Sequence, residues 1–358
     1  MRLGHFALTV LFGLLSTGCA ITNRVPHAPT RGERFDILTR ARVWSPTNVA
    51  SMDLRRGPQG SGSFEPGAQL TCDYVNERLG GHSPKFLCRI AEGDNVKVKY
   101  GIDNGEVYGE LLATRLLWAL GFGADREYQV DVICRGCPES LGGIARPGTE
   151  RRFFPALVER KMAGHEWKPG GRSGWAWTEL DVPPAGDGAT VAQRDALKLL
   201  AVFLQHTDSK TEQQRILCLE ARHDKESESC EQPFLMVSDV GLTFGRADLR
   251  NRNSVASVNL DGWRRTPVWK SVDGCVGNLS KSFSGTLADP VISEDGRQFL
   301  AQLLMQLTDR QLTDLFEVAR VDLRLSKPEN SSSPRSTVAE WVTAFKAKRQ
   351  EIVERRCV

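Results

Sequence analysis

The sequence predicts an α+β chain, in which an N-terminal antiparallel sheet with one helix is followed by a mainly helical second part. Three observations carry this expectation. Short β-type runs separated by turn residues fill the region from Ala68 to Gly101. The stretch "EVYGELLATRLLWALG" places Val107, Leu111, Thr114 and Trp118 on one helical stripe and stops at Gly121. Beyond residue 290 the periodicity is almost wholly helical.

In chain order, residues 1–18 read as an export signal, with a positive Arg2, an apolar stretch from Phe6 to Leu15 and small residues before Cys19. The apolar stretch is far short of the roughly 20 residues that cross a bilayer. The ending "LLSTGC" resembles the lipobox of bacterial lipoproteins, although Ser16 stands where Leu is usual. That resemblance implies lipidation of Cys19, a membrane-anchored position in the cell envelope facing the periplasm or exterior, and a tether over residues 19–35.

Residues 36–165 read as the β-rich part. "AQLTCDYV", "KFLCRI" and "NVKVKYG" are strands; in the last, Val96 and Val98 alternate with Lys97 and Lys99. "EYQVDVIC" and "FPALVERKM" follow the helix. Residues 166–358 read as the helical part, with "AQRDALKLLAVFLQ", "DGRQFLAQLLMQL", "DRQLTDLFEVAR" and "AEWVTAFKAKRQEIVERR" as helices and "FLMVSDVGLTFG" as a buried strand ending in a polar turn. Trp175 and Trp177 belong in the core by default.

A chain of 358 residues, 40% hydrophobic and 25% charged, can bury a real core, in one large domain or two ordinary ones. Its formal charge of +3 is too mild and evenly spread for an electrostatic nucleic-acid binder, so nucleic acid is not an expected partner. Of 9 cysteines, setting Cys19 aside leaves 8, an even number that implies disulfides in an exported chain. Sequence neighbourhood suggests Cys72 with Cys88, Cys134 with Cys137, Cys218 with Cys230 and Cys275 with Cys357. "CRGC" follows a strand and precedes Pro138, which favours a structural turn disulfide over a redox pair.

Phosphoryl transfer from a nucleotide needs a loop over the phosphates, a fixed strand lysine, a helix glutamate to hold it, an aspartate beside the acceptor and a metal-binding aspartate. The chain offers candidates in that order. Gly80 and Gly81 permit a tight turn in "LGGHS"; Lys97 and Lys99 share a strand face; Glu106 and Glu110 share a helix face. His206 and Asp208 end the long helix in "QHTDSKTEQ", and Asp239 stands in "SDVG". Each has a plainer explanation alone: strand lysines facing solvent, first-turn acids, and turn-forming His and Asp.

Taken together, "VKVKYG", the following helix, "QHTDSKTEQ" and "SDVG" resemble the lysine strand, glutamate helix, HxD loop and DFG turn of the protein-kinase-like superfamily, in its divergent secreted, lipid-kinase and toxin-kinase branches. The resemblance spans about Gly80 to Gly245 and implies a two-lobed fold. It implies ATP and Mg²⁺ as cofactors, with Lys99 (or Lys97) against the phosphates, Glu110 (or Glu106) as its partner and Gly80 and Gly81 in the cover loop. It further implies His206 and Asp208 in the catalytic loop, Asp239 on the metal, and Gln213 where the family has a metal-binding asparagine. The acceptor would be a protein or small molecule that the motifs leave unspecified. Three departures are Gln213, the absence of a full GxGxxG, and a long segment between Asp208 and Asp239 holding Cys218 and Cys230. They leave a non-catalytic, disulfide-stabilised envelope scaffold or binding lipoprotein as the alternative.

Overall fold

The computed structural model describes residues 30–81, 83–139, 146–219, 230–245 and 257–357. The export signal, Cys19, most of the expected tether and His82 of the cover loop lie outside the described residues. None of the described helices is long and apolar enough to cross a membrane.

Strands β1 (Ala68–Val75), β2 (Lys85–Ala91), β3 (Asp94–Tyr100), β4 (Arg126–Arg135) and β5 (Glu150–Arg160) close into a small barrel in the order β1-β2-β3-β5-β4. The expectation of an antiparallel sheet is corrected at one seam: β1 and β4 run parallel, from Ala68 opposite Val130 to Asp73 opposite Arg135. Alternation explains the closure. Leu70 and Cys72 of β1 and Val130, Val132 and Cys134 of β4 all face a common buried interior with Phe86, Val96, Val98 and Phe153. Closing the sheet buries these residues on all sides and leaves no long unpaired edge. Phe153 packs its ring 4.8 Å from Phe86 and 4.7 Å from Tyr100, filling one end.

Helix α2 (Gly105–Ala119) is capped by Asn104, whose side chain accepts from the Glu106 amide. It is buried nearly all round. Its apolar residues Val107, Leu111, Leu112 and Leu116 belong to the large core of the second part of the chain, while its body also packs on β4 and β5. This helix is therefore the layer between the barrel and the rest.

The second part combines a three-stranded sheet, β6 (His165–Glu166), β7 (Gln214–Cys218) and β8 (Pro233–Val237), with helices α3 (Val191–Leu204), α4 (Leu260–Arg265), α5 (Glu294–Met305), α6 (Asp309–Val318) and α7 (Val338–Glu354). Side-chain caps start these helices, Thr190, Ser293, Thr308 and Thr337 among them. Trp263 lies at the centre, with Phe203, Phe244 and Trp341 ring centroids 5.1–5.6 Å away. Trp175 and Trp177 are fully buried core residues.

Helix α1 (Arg31–Arg40) begins inside the stretch expected as a tether. Thr30 and Glu33 form a reciprocal capping box, a local signal strong enough to start the helix there. The segment after it does not join the barrel. Arg42 exchanges backbone bonds with Pro233 and Leu235, and Ile37, Leu38 and Val43 sit in the second part's core. The first described residues thus belong with the second part rather than with the β-rich part that begins the expected division at residue 36.

All four disulfides pair sequence neighbours: Cys72–Cys88, Cys134–Cys137, Cys218–Cys230 and Cys275–Cys357. Three are local. The fourth spans 82 residues and ties the end of the chain to the loop before α5. Loop-closure entropy predicts that replacing Cys275 and Cys357 by serine lowers stability by about 4.5 kcal/mol, against about 3 kcal/mol for Cys218 and Cys230. Thermal melting of the two double variants checks the order; a larger loss from the shorter loop would contradict it.

Candidate functional site

The alternation that sends Val96 and Val98 into the barrel sends Lys97 and Lys99 to its outer face, beneath α2. Lys99 is 2% exposed. Its ammonium donates to Glu110 Oε1 at 2.6 Å and Glu106 Oε2 at 2.7 Å, and lies 3.5 Å from Asp239 Oδ1. Both glutamates reach the same lysine because they stand one helical turn apart on one face. Lys97 pairs instead with Glu159 of β5, so the two strand lysines have separate partners.

Burial works against the charge of Lys99, yet Glu110, Asp239 and Glu106 hold its pKa well above the ordinary lysine value. Burial pushes Glu110 up to about 7, with Lys99 and Lys97 pulling the other way. Asp239 is half-exposed at the mouth of the cluster. Against the opposing effect of burial, Lys99, Lys97 and Lys85 hold it well below the usual carboxylate range.

Asp239 follows β8 with φ +51°, a left-handed conformation that aspartate tolerates better than most residues. Two glycines press this turn onto α2. A Cβ on Gly109 would stand 2.5 Å from the Gly241 carbonyl oxygen, and one on Gly241 would stand 2.7 Å from Glu106 Cγ. Helix and turn meet backbone to backbone, which brings Glu106 and Glu110 to Asp239.

Helix α3 ends at Gln205 in the left-handed conformation, and the chain turns into the polar burst at once. Asp208 accepts from Lys210 Nζ at 3.0 Å and from Gln213 Nε2 at 2.9 Å. The same Gln213 nitrogen donates to Asp239 Oδ2 at 2.9 Å. One amide therefore joins the two aspartates. Gln213 Oε1 accepts from the Lys210 amide, which aims the nitrogen at the carboxylates. As oriented, Gln213 offers both aspartates a donor.

His206 is 1% exposed, lies in an apolar pocket with Leu117, Leu197, Leu204 and Val240, and packs its ring 5.8 Å from that of Trp177. Burial lowers its pKa to about 4, although Asp208 and Asp239 pull upward, so the imidazole is neutral at ordinary pH. It is a core residue, whereas Asp208, two positions on, is also largely buried but reaches Lys210 and Gln213.

Two residues of the cluster were not singled out from the sequence. Lys210 lies in the polar burst, two positions after Asp208. Lys85 stands opposite Lys99 in the β2–β3 pairing. Its pKa is lowered by burial and by Lys99, with Glu106 and Asp239 opposing. Gly81, at φ +85°, turns directly over the Lys85 ammonium, 2.7 Å from where a Cβ would be; Gly80 stands clear of its neighbours. The spacing of Lys85 from Lys99 across a hairpin was the available signal.

No protein-family model matches the chain, and no curated protein matches it. Among solved structures it is similar to a proinflammatory kinase of Helicobacter pylori, CtkA, at 9% identity and a TM-score of 0.43, over 81% of this chain and 96% of that one. It is also similar to the Rio2 kinase of Chaetomium thermophilum, solved as an ADP/Mg²⁺-phosphoaspartate complex, at 13% identity and a TM-score of 0.26, over 68% of each chain. Both are kinases; at these scores neither bears on what the site does.

The raised pKa of Glu110 has a defined sign. A carboxyl whose folded value lies near 7 and whose ordinary value is 4.5 stabilises the fold below pH 4.5, and that contribution is lost as pH rises through 7. Denaturant unfolding across this range should show stability falling in the wild type and a flatter profile for Glu110→Gln. Equal slopes would refute the assignment. Gly109→Ala should lower the melting temperature, since forcing a methyl against the Gly241 carbonyl costs about 1–3 kcal/mol and exceeds the roughly 1 kcal/mol gain in helix propensity. A higher melting temperature would show that the turn moves freely.

Proposed function

We propose that the chain has a two-lobed, protein-kinase-like fold and is a nucleotide-dependent phosphotransferase of the cell envelope, anchored through Cys19. The observation that carries this reading is the joint placement of a buried lysine and two aspartates. Lys99 meets Glu106, Glu110 and Asp239, and a single amide links Asp239 to Asp208. An ordinary structural ion pair needs one carboxylate; this cluster gathers three around one ammonium and opens to solvent at Asp239.

The donor set fits a divalent cation. Glu106, Glu110 and Asp239 bring carboxylate oxygens within 4.8 Å of one another, and Glu110 Oε2 is buried without a hydrogen-bond partner. Oxygen-only ligands suit Mg²⁺. Asp239 and Glu106 would hold the ion, which when bound neutralises phosphate charge. Lys99 and Lys85 supply the cations for the phosphate oxygens, beneath the turn at Gly80 and Gly81. Asp208 accepts the proton of the acceptor hydroxyl at its carboxylate. Lys210 and Gln213 orient that carboxylate, and Lys210 adds positive charge beside it.

A non-catalytic scaffold is the second reading, favoured by one observation: the Gln213 nitrogen faces both aspartates. Calorimetric titration with Mg–ATP separates the two. In the phosphotransferase, Asp239→Asn abolishes magnesium-dependent binding, whereas Asp208→Asn spares binding and lowers transfer about 100-fold or more. Absence of heat from the wild type at millimolar ATP would leave the scaffold.

A further inference from the structure

Behind Lys99 the outer face of the barrel carries a row of ionisable side chains. Lys97 of β3 stands opposite Glu159 of β5, which stands opposite Glu127 of β4. Directly opposed residues share a face, and Lys97 shares that of Lys99, so the row lies on the same side as the site. Lys97 and Lys161 both pair with Glu159, and Lys161 reaches Asp125 at 3.3 Å. Asp125, 3% exposed, also takes Arg215 of β7, the Ser238 hydroxyl at 3.0 Å and the Met162 amide at 2.9 Å.

This network abuts the site directly. Arg215 is two residues from Gln213, and Ser238 precedes Asp239. The charges run without a break from the barrel to the second sheet, and the Glu159 and Glu127 side chains are buried among them. A nucleobase gains affinity by stacking on apolar or aromatic faces, which this wall does not present. To insert there, a base would have to part Lys97 from Glu159 and Arg215 from Asp125 and strand two buried carboxylates, an unfavourable step. The phosphate end has the opposite character, with Lys85 and a half-exposed Asp239 at its mouth and Lys99 buried behind them.

Resting on the phosphotransfer reading, we propose that the site recognises its donor through the polyphosphate and its divalent cation alone. The Lys97–Glu159–Lys161–Asp125–Arg215 network closes the adjoining position to a base. The ligand class is an inorganic or nucleoside polyphosphate, held without selection for adenine.

Titration of the full chain, disulfides intact, in magnesium tests this with tripolyphosphate, ATP, GTP and adenosine. The three phosphates should bind with dissociation constants within about threefold of one another, and adenosine should give no heat, because a stacked base would add about tenfold or more. A tenfold preference for ATP over tripolyphosphate, or measurable adenosine binding, overturns the inference and leaves the phosphotransfer reading intact. Failure of all three phosphates to bind overturns that reading, and the inference with it. A second arm replaces the central pair by apolar side chains, Lys97→Leu with Glu159→Leu, an exchange buried ion pairs often tolerate. ATP should then gain at least about fivefold over tripolyphosphate; an unchanged ratio counts against the network as the barrier.

Discussion

A lysine ammonium stripped of water is tolerated only where carboxylates replace its hydration, and Lys99 imposes that condition on three separate elements. Desolvating an ion costs several kcal/mol even after relaxation, so β3, α2 and the turn at Asp239 must meet at one point. Asn104 caps α2 so that Glu106 and Glu110 begin on the correct face. Gly109 and Gly241 let the helix and the turn approach backbone to backbone. If any one element withdraws, the others are left with a buried charge. The site and the packing between the barrel and the second part are for this reason one structure.

The barrel supplies the rigidity this demands. Closure through β1 and β4 fixes the register of β3, hence which lysine lies under α2, since a slip of one residue would exchange the lysines for Val96 and Val98. Cys72–Cys88 ties β1 to β2 inside the same barrel. On the other side, the segment after α1 crosses to pair with β8 and anchors the strand that leads into Asp239. The charged network at Asp125 then joins barrel to second sheet by ion pairs that satisfy one another.

Much of this was legible in the residues. Alternation in "NVKVKYG" put both lysines on one face; the periodicity after Asn104 put both glutamates on one face; cysteine neighbourhood matched all four disulfides. The two faces are local properties, readable because side-chain direction follows from a repeat of two or of 3.6 residues. The polar burst after α3 announced that the helix ended in chemistry, but not which of its residues faced the cleft. His206 joined the core, and Gln213 became a bridge because of Asp239, a residue 26 positions beyond it.

By itself, then, the sequence determined the α+β composition and the strand and helix faces, which depend on residues a few positions apart, and the order of the cysteines along the chain matched their pairing. Tertiary structure alone decided that β1 and β4 close a barrel, that α1 belongs with the second part, that Lys99 rather than Lys97 takes both glutamates, and that Glu159 and Arg215 wall the site with charge. Each of those outcomes depends on which buried charge finds a counter-charge from a distant element. Electrostatic pairing in a low-dielectric interior is set by distance in space, and spacing along the chain carries no record of it.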